Sequence, residues 1–141
     1  KELIKIIEPY KPKLLVLAGF MHILSLNFLK CFRNNILNIH PSLLPSFKGL
    51  NTHKKVLEAG VLIHGCTVHI VTSNIDEGPI LGQAALIVRE NIDVDNLEKE
   101  VLKLEHKLLP ECIALHLGKK FKHDKIKFIS NLKSFIQYNK D

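Results

Sequence analysis

Asn38 and His40 are the side chains in this 141-residue sequence best suited to act on one reacting group. They close a short apolar run, Ile36-Leu37, that reads as a buried strand, and residues i and i+2 of a strand point to the same face. An amide and an imidazole are thus offered side by side. Pro41 and Pro45 follow in His40-Pro41-Ser42-Leu43-Leu44-Pro45, forbid regular hydrogen bonding and stiffen the exit. A neutral donor beside a titratable ring on a rigid strand end suits a carbonyl whose oxygen turns negative during reaction. Taken singly, His40 would read as a structural histidine, Asn38 as a strand-end cap and Asp76 of Asp76-Glu77-Gly78-Pro79 as a turn former.

The elements that must position these groups follow an α/β rhythm. Leu3, Ile4, Ile6 and Ile7 form one stripe of a helix over 2–8 that Pro9 and Pro12 stop. The run Leu14 to Ala18, closed by Gly19, reads as a strand buried on both faces, and Met21 to Phe32 as a short helix with Ser25 as a cap. After the loop 46–51, Thr52 is the expected N-cap of a helix through Ala59, with Gly60 beyond its end. Gly65 to Val71 is a strand with Cys66, Val68 and Ile70 on one face and Thr67 and His69 on the other. Ile80 to Val88 is a second β stretch, close enough to pair antiparallel, so the sheet is mixed. Asp95-x-x-Glu98 resembles a capping box, and Val94, Leu97, Val101, Leu104 and Leu108 form the seam of the longest helix. Pro110 should free the carbonyl of His106 and bend that helix, and Gly118 ends it.

Composition narrows the function classes. No apolar run approaches the roughly 20 residues of a membrane helix, and no signal peptide is visible. The net charge of +6 is concentrated in residues 119–141, where seven lysines stand against Asp124 and Asp141. That reads as a solvated basic tail, without a nucleic-acid motif. Cys31, Cys66 and Cys112 show no paired spacing, and read as reduced core thiols of a cytoplasmic protein. The eight histidines match no ligand spacing, so no metal is expected.

Six motifs, in order, resemble one family. Leu17-Ala18-Gly19-Phe20-Met21 with Ile23-Leu24, Asn38 through Pro45, Gly49-Leu50-Asn51-Thr52-His53, His64 through His69, Asp76-Glu77-Gly78-Pro79 and Glu105-His106 are similar to phosphoribosylglycinamide formyltransferase, over about 14–117. The resemblance implies a Rossmann-like formyltransferase fold: a mixed, mostly parallel sheet flanked by helices. It implies formyl transfer from 10-formyltetrahydrofolate to glycinamide ribonucleotide, both small molecules, in purine synthesis, without metal, nucleic acid or membrane, and it leaves room for a homo-oligomer. By motif, Asn38, His40 and Asp76 match the catalytic trio. Asn38 and a charged His40 would stabilise the oxyanion, and Asp76 would favour that charge and relay a proton. Met21, His22, Ile23 and Leu24, with Asn38 and Thr72, Ser73, Asn74, Ile75 and Asp76, match the folate pocket. Leu102, Lys103, Leu104 and Glu105 match a nucleotide-contacting segment, with Glu105 suited to ribose hydroxyls, and Leu44-Pro45 matches a cis peptide. His22 stands where the family has arginine, and Asn51 replaces a frequent histidine.

Family members also carry a front with a glycine-rich phosphate loop, whereas this chain opens inside a helix. Residues 1–118 are therefore expected to be the C-terminal part of one formyltransferase domain whose N-terminal strands are missing, with 119–141 a tail. The 141 residues alone are expected to be inactive. The rival readings are a formyltetrahydrofolate deformylase, a methionyl-tRNA formyltransferase, or a non-catalytic folate-binding module. Pro41 after His40, with Gly49-Leu50-Asn51-Thr52-His53, favours the nucleotide enzyme. His53 and His69 are read as bracing the site, and His64, His106, His116 and His123 as structural.

Overall fold

The structure is a computed structural model that describes residues 2–20, 22–33 and 35–118. The expectations for the tail lie outside the described residues. Helix α1 (Glu2–Ile7) runs into a 3₁₀ turn (Glu8–Tyr10). Strand β1 (Leu15–Leu17), α2 (Leu26–Cys31), β2 (Ile36–His40), α3 (Thr52–Ala59), β3 (Ile63–Ile70), β4 (Ile80–Ile87) and α4 (Val94–His116) follow.

The described strands form one mixed sheet in the order β1-β2-β3-β4. Among the described strands the β1–β2 pair is parallel and β2–β3 and β3–β4 are antiparallel, so this sheet is mixed as expected but not mostly parallel. The core lies under α4. Leu97, Val101, Leu104, Leu108 and Cys112 of that helix pack on Leu37, Ile39, Cys66, Val68, Ala84 and Leu86 of the sheet. Each large side chain so buried stabilises the fold by about 1.5–3 kcal/mol. Gly82 makes room for this layer, since a Cβ there would stand 2.7 Å from Cys112 Sγ. Burial pushes the Cys66 and Cys112 thiols up to about 12, so both are inert packing groups. Cys31, expected in the core with them, is exposed.

Several local expectations are corrected. β1 lies at an edge of the described sheet, so it is not buried on both faces: Val16 is 38% exposed. No residue of α1 is buried. α2 begins at Leu26 and not at Met21, capped by Ser25 as expected, whose Oγ accepts from the Phe28 N–H at 3.3 Å. Thr52 is the first residue of α3 and not its cap. Asn51 takes the cap position in a left-handed conformation with no side-chain bond, while Thr52 turns inward and is buried. The cap of α4 is Asp93, two residues before the expected box. Its carboxylate accepts from the Asn96 N–H at 2.7 Å and the Asn96 Nδ2–H at 2.8 Å. α4 continues through Pro110 to His116. Among the described residues no helix is long and apolar enough to cross a membrane.

Candidate active site

Strand pairing brings the polar groups together. In the antiparallel register Asn38 lies opposite His69, and His40 opposite Thr67. Directly opposed residues share a face, so an amide and two imidazoles meet there. His69 Nδ1–H donates to the Ile70 carbonyl at 3.1 Å, and the lone pair of Nε2 accepts from Asn38 Nδ2–H at 3.3 Å. Burial holds the His69 pKa below its ordinary value, outweighing the Ile70 carbonyl and the Asp76 carboxylate, which pull it up. The neutral ring is therefore an acceptor toward Asn38, and it fixes which end of that amide carries N–H into the site.

His40 is anchored by its other nitrogen. Nε2–H donates to the Phe47 carbonyl at 3.0 Å, and Nδ1 lies 3.4 Å from Asp76 Oδ2. Asp76 Oδ2 also accepts the Gly49 N–H at 2.9 Å, while Oδ1 lies 3.7 Å from His69 Nε2. One carboxylate thus faces both imidazoles and is held by a backbone amide. The His40 and Asp76 side chains are only 7% and 10% exposed, so the charge of this cluster is poorly screened.

The loops that build the cluster are strained. Phe47, Asn51 and Asp76 adopt positive φ of 53°, 57° and 53°. A non-glycine residue there costs on the order of 1–3 kcal/mol, and such strain concentrates where a loop must aim a group. The turn between His40 and Phe47 is fastened from below by Thr67. Its buried Oγ1–H donates to the Ser42 carbonyl at 2.7 Å, and the oxygen accepts from Leu44 N–H at 3.1 Å and Gln83 Nε2–H at 3.0 Å. Ser42 Oγ–H closes the turn onto the Ser46 carbonyl at 2.7 Å, and Leu44-Pro45 is cis.

These groups open into a cleft of about 740 Å³. That volume is within the usual range for small-molecule sites. His22, Ile23, Leu24, Asn38, His40, the whole segment Thr72 to Asp76, Leu102 and Glu105 all line it. Lys103 and Leu104 do not: Lys103 points to solvent on α4, and Leu104, 2% exposed, belongs to the core. Met21 lies outside the described residues. Burial, with the nearby Glu98 charge, raises the Glu105 pKa, so its carboxyl is poised to gain from a hydrogen-bonding partner.

Sequence reasoning missed the Phe47 carbonyl and the Gly49 N–H, since backbone groups leave no residue-type signal. The link between Asn38 and His69 was open to strand alternation, which put Thr67 and His69 on one face, but needed the register between β2 and β3.

The cleft opens beside the polar end of β2, in a mixed α/β sheet. The chain belongs to the formyl transferase family, whose model matches residues 1–113. Within that family it is similar to phosphoribosylglycinamide formyltransferases. It is 44% identical to the one from Escherichia coli over 114 residues, covering 81% of this chain and 54% of that protein. It is 49% identical to the trifunctional purine biosynthetic protein adenosine-3 of Gallus gallus over 111 residues, covering 79% of this chain and 11% of that one. The crystal structure of phosphoribosylglycinamide formyltransferase from Anaplasma phagocytophilum superposes with a TM-score of 0.85 at 34% identity, covering 92% of this chain and 69% of that one. This chain thus spans about half the length of the bacterial relative and a ninth of the chicken one.

Proposed function

We propose that this cleft serves the transfer of a formyl group from 10-formyltetrahydrofolate to the amine of glycinamide ribonucleotide, a step of purine synthesis in the cytoplasm. The observation that carries the reading is the convergence of Asn38, His40 and Asp76 on one cleft, with His40 Nδ1 3.4 Å from Asp76 Oδ2. Residues 1–118 act in it as the C-terminal part of a single formyltransferase domain, with 119–141 as a basic tail.

The residues present fit the two substrates. The segment Thr72 to Asp76 offers backbone donors and acceptors to the amide-like edge of a pterin, and His22, Ile23 and Leu24 line the same cleft. Glu105, on the α4 side, suits the hydroxyls of a ribose.

The chemistry then follows from what each group can do. When the amine nitrogen bonds to the formyl carbon, the formyl oxygen becomes negative. Asn38 keeps one Nδ2–H for that oxygen, because His69 engages only the other. His40 has Nε2–H committed to Phe47, and its 3.4 Å approach to Asp76 is longer than a closed hydrogen bond. In the charged ring, Nδ1–H is then the donor left for the reaction. Asp76 takes the proton released by the attacking amine and returns it, through water, to the leaving nitrogen as the carbonyl reforms. Until it takes that proton, the Asp76 carboxylate also favours positive charge on His40.

The test is to give the full gene product both substrates and to follow the formylated nucleotide. Formyl transfer that needs the nucleotide amine is expected. Loss of formyl from the folate at the same rate with and without the amine would mean a deformylase instead. The 141-residue chain alone, which spans 54% of the Escherichia coli relative, is expected to give no turnover.

A further inference from the structure

Two loops meet beside the cleft, and three consecutive residues of the first contact the second or the histidine between them. Phe47 offers its carbonyl to His40 at 3.0 Å, and Gly49 donates its N–H to Asp76 Oδ2 at 2.9 Å. Lys48, between them, places Nζ 2.7 Å from Oε1 of Glu77, the residue next to Asp76. The three contacts join 47–49 to His40 and the 76–77 pair. Only the middle one is made by two side chains of opposite charge.

Both ends of that contact are prepared. Lys48 sits between two residues of positive φ, Phe47 at 53° and Gly49 at 78°, so the chain is bent on either side of it. Its own carbonyl accepts from Lys55 Nζ of α3 at 3.3 Å. Glu77 is held from within its loop too. The Lys48 bond and charge, then the Asn74 side chain, keep its carboxyl below the usual range. Behind it Gly78 packs closely on β3: a Cβ there would stand 1.6 Å from the Ile70 carbonyl.

We propose that the Lys48–Glu77 ion pair is a strap that positions the Asp76 carboxylate, by keeping the 72–79 loop close enough for Gly49 N–H to hold Oδ2. Lys48 and Glu77 are positioning residues in this scheme and touch no substrate. Asp76 is itself in a strained backbone conformation, with φ 53°, and relaxes away if the loops part. The inference deepens the reading of Asp76 as the proton acceptor and rests on that reading for its catalytic consequence, though its structural half stands without it.

Hydrogen exchange at the Gly49 amide reads the strap directly, without any activity. In Lys48→Met and in Glu77→Gln the exchange is expected to quicken about two- to fivefold, the range for loss of one half-exposed ion pair. Lys48→Arg should restore it, as should the charge swap Lys48→Glu with Glu77→Lys. Amides of β3 and β4 are the folding control. Unchanged Gly49 exchange, or acceleration shared equally with β3 and β4, overturns the strap. In the active gene product the same variants should lower kcat a few-fold and leave both KM values unchanged, with rescue by Lys48→Arg. A rise in KM with kcat intact would overturn the positioning role. If Gly49 exchange responds while no variant or parent transfers formyl, the proposed function fails and the strap remains.

Discussion

Asn38 and His69 face each other across the β2–β3 pair, Nδ2 to Nε2 at 3.3 Å, and the ring accepts because its other nitrogen is spent on the Ile70 carbonyl. An isolated asparagine amide can flip and present oxygen where N–H is needed. Here a flip would set the amide oxygen against a lone pair. The orientation that serves an oxyanion is therefore chosen by the strand opposite.

Replacing His69 by Phe tests this. The ring fills the same volume but accepts nothing from Asn38. We expect kcat in the gene product to fall about tenfold, short of the roughly 10²- to 10³-fold loss from deleting an oxyanion donor outright. KM for both substrates should move little. A full-rate His69→Phe enzyme would show that Asn38 needs no such partner.

In the proposed reaction Asn38 and His40 donate to the formyl oxygen, and Asn38→Ala and His40→Ala remove those donors. Each should lower kcat by about 10²- to 10³-fold. Cofactor binding, measured by quenching or calorimetry, should persist in both. A variant that binds neither substrate would place the residue in binding and not in catalysis.

How much of this was legible in the sequence differs by residue for a physical reason. Asn38 and His40 were readable because strand periodicity is local, and β2 lies where its apolar run ends. The α4 seam was readable for the same reason: Leu97, Val101, Leu104 and Leu108 are buried as spaced, whereas Val94, at the helix start, is exposed. The caps failed because a cap depends on backbone geometry: Asp93 is extended and reaches Asn96, whereas Asp95 already sits inside the helix. β1 was misjudged because an apolar run reports preference for burial, not whether a neighbour strand covers it. Lys103 and Leu104 follow Leu102 on α4, and successive helical residues turn about 100° apart, so one segment cannot send all of its side chains to one cleft. Gly49 was invisible as a donor because its contribution is a peptide N–H.

Thr67 should matter to stability more than its size suggests. Thr67→Val keeps the shape but leaves the buried Leu44 N–H without the acceptor it now has at 3.1 Å, and frees the Ser42 carbonyl. The expected loss is about 1–3 kcal/mol, read as a lower denaturant midpoint with unchanged slope. If the midpoint does not move, the turn before Phe47 is held by other means.

The paired His53 and His64 make the fold acid-sensitive, with a definite sign. His53 Nδ1 and His64 Nε2 lie 3.0 Å apart, so one must donate and the other must keep a lone pair. Burial first, then the charges of His53 and His40, pushes His64 down from its ordinary 6.5 to about 4. Burial lowers His53 too, against the pull of Glu98. A ring that is harder to protonate when folded binds fewer protons in the native chain than in the unfolded one. Its stability contribution is complete above about pH 6.5 and is lost as pH falls toward about 4. The slope is at most about 1.4 kcal/mol per pH unit for each such ring. His69, lowered chiefly by burial, adds with the same sign. Urea unfolding at pH 7.5 and pH 5 should therefore give a clearly lower midpoint at pH 5. His64→Gln, which cannot take up the proton, should narrow the difference between the two. Equal midpoints at both pH values in the parent chain would mean that these rings accept protons in the folded state at no cost.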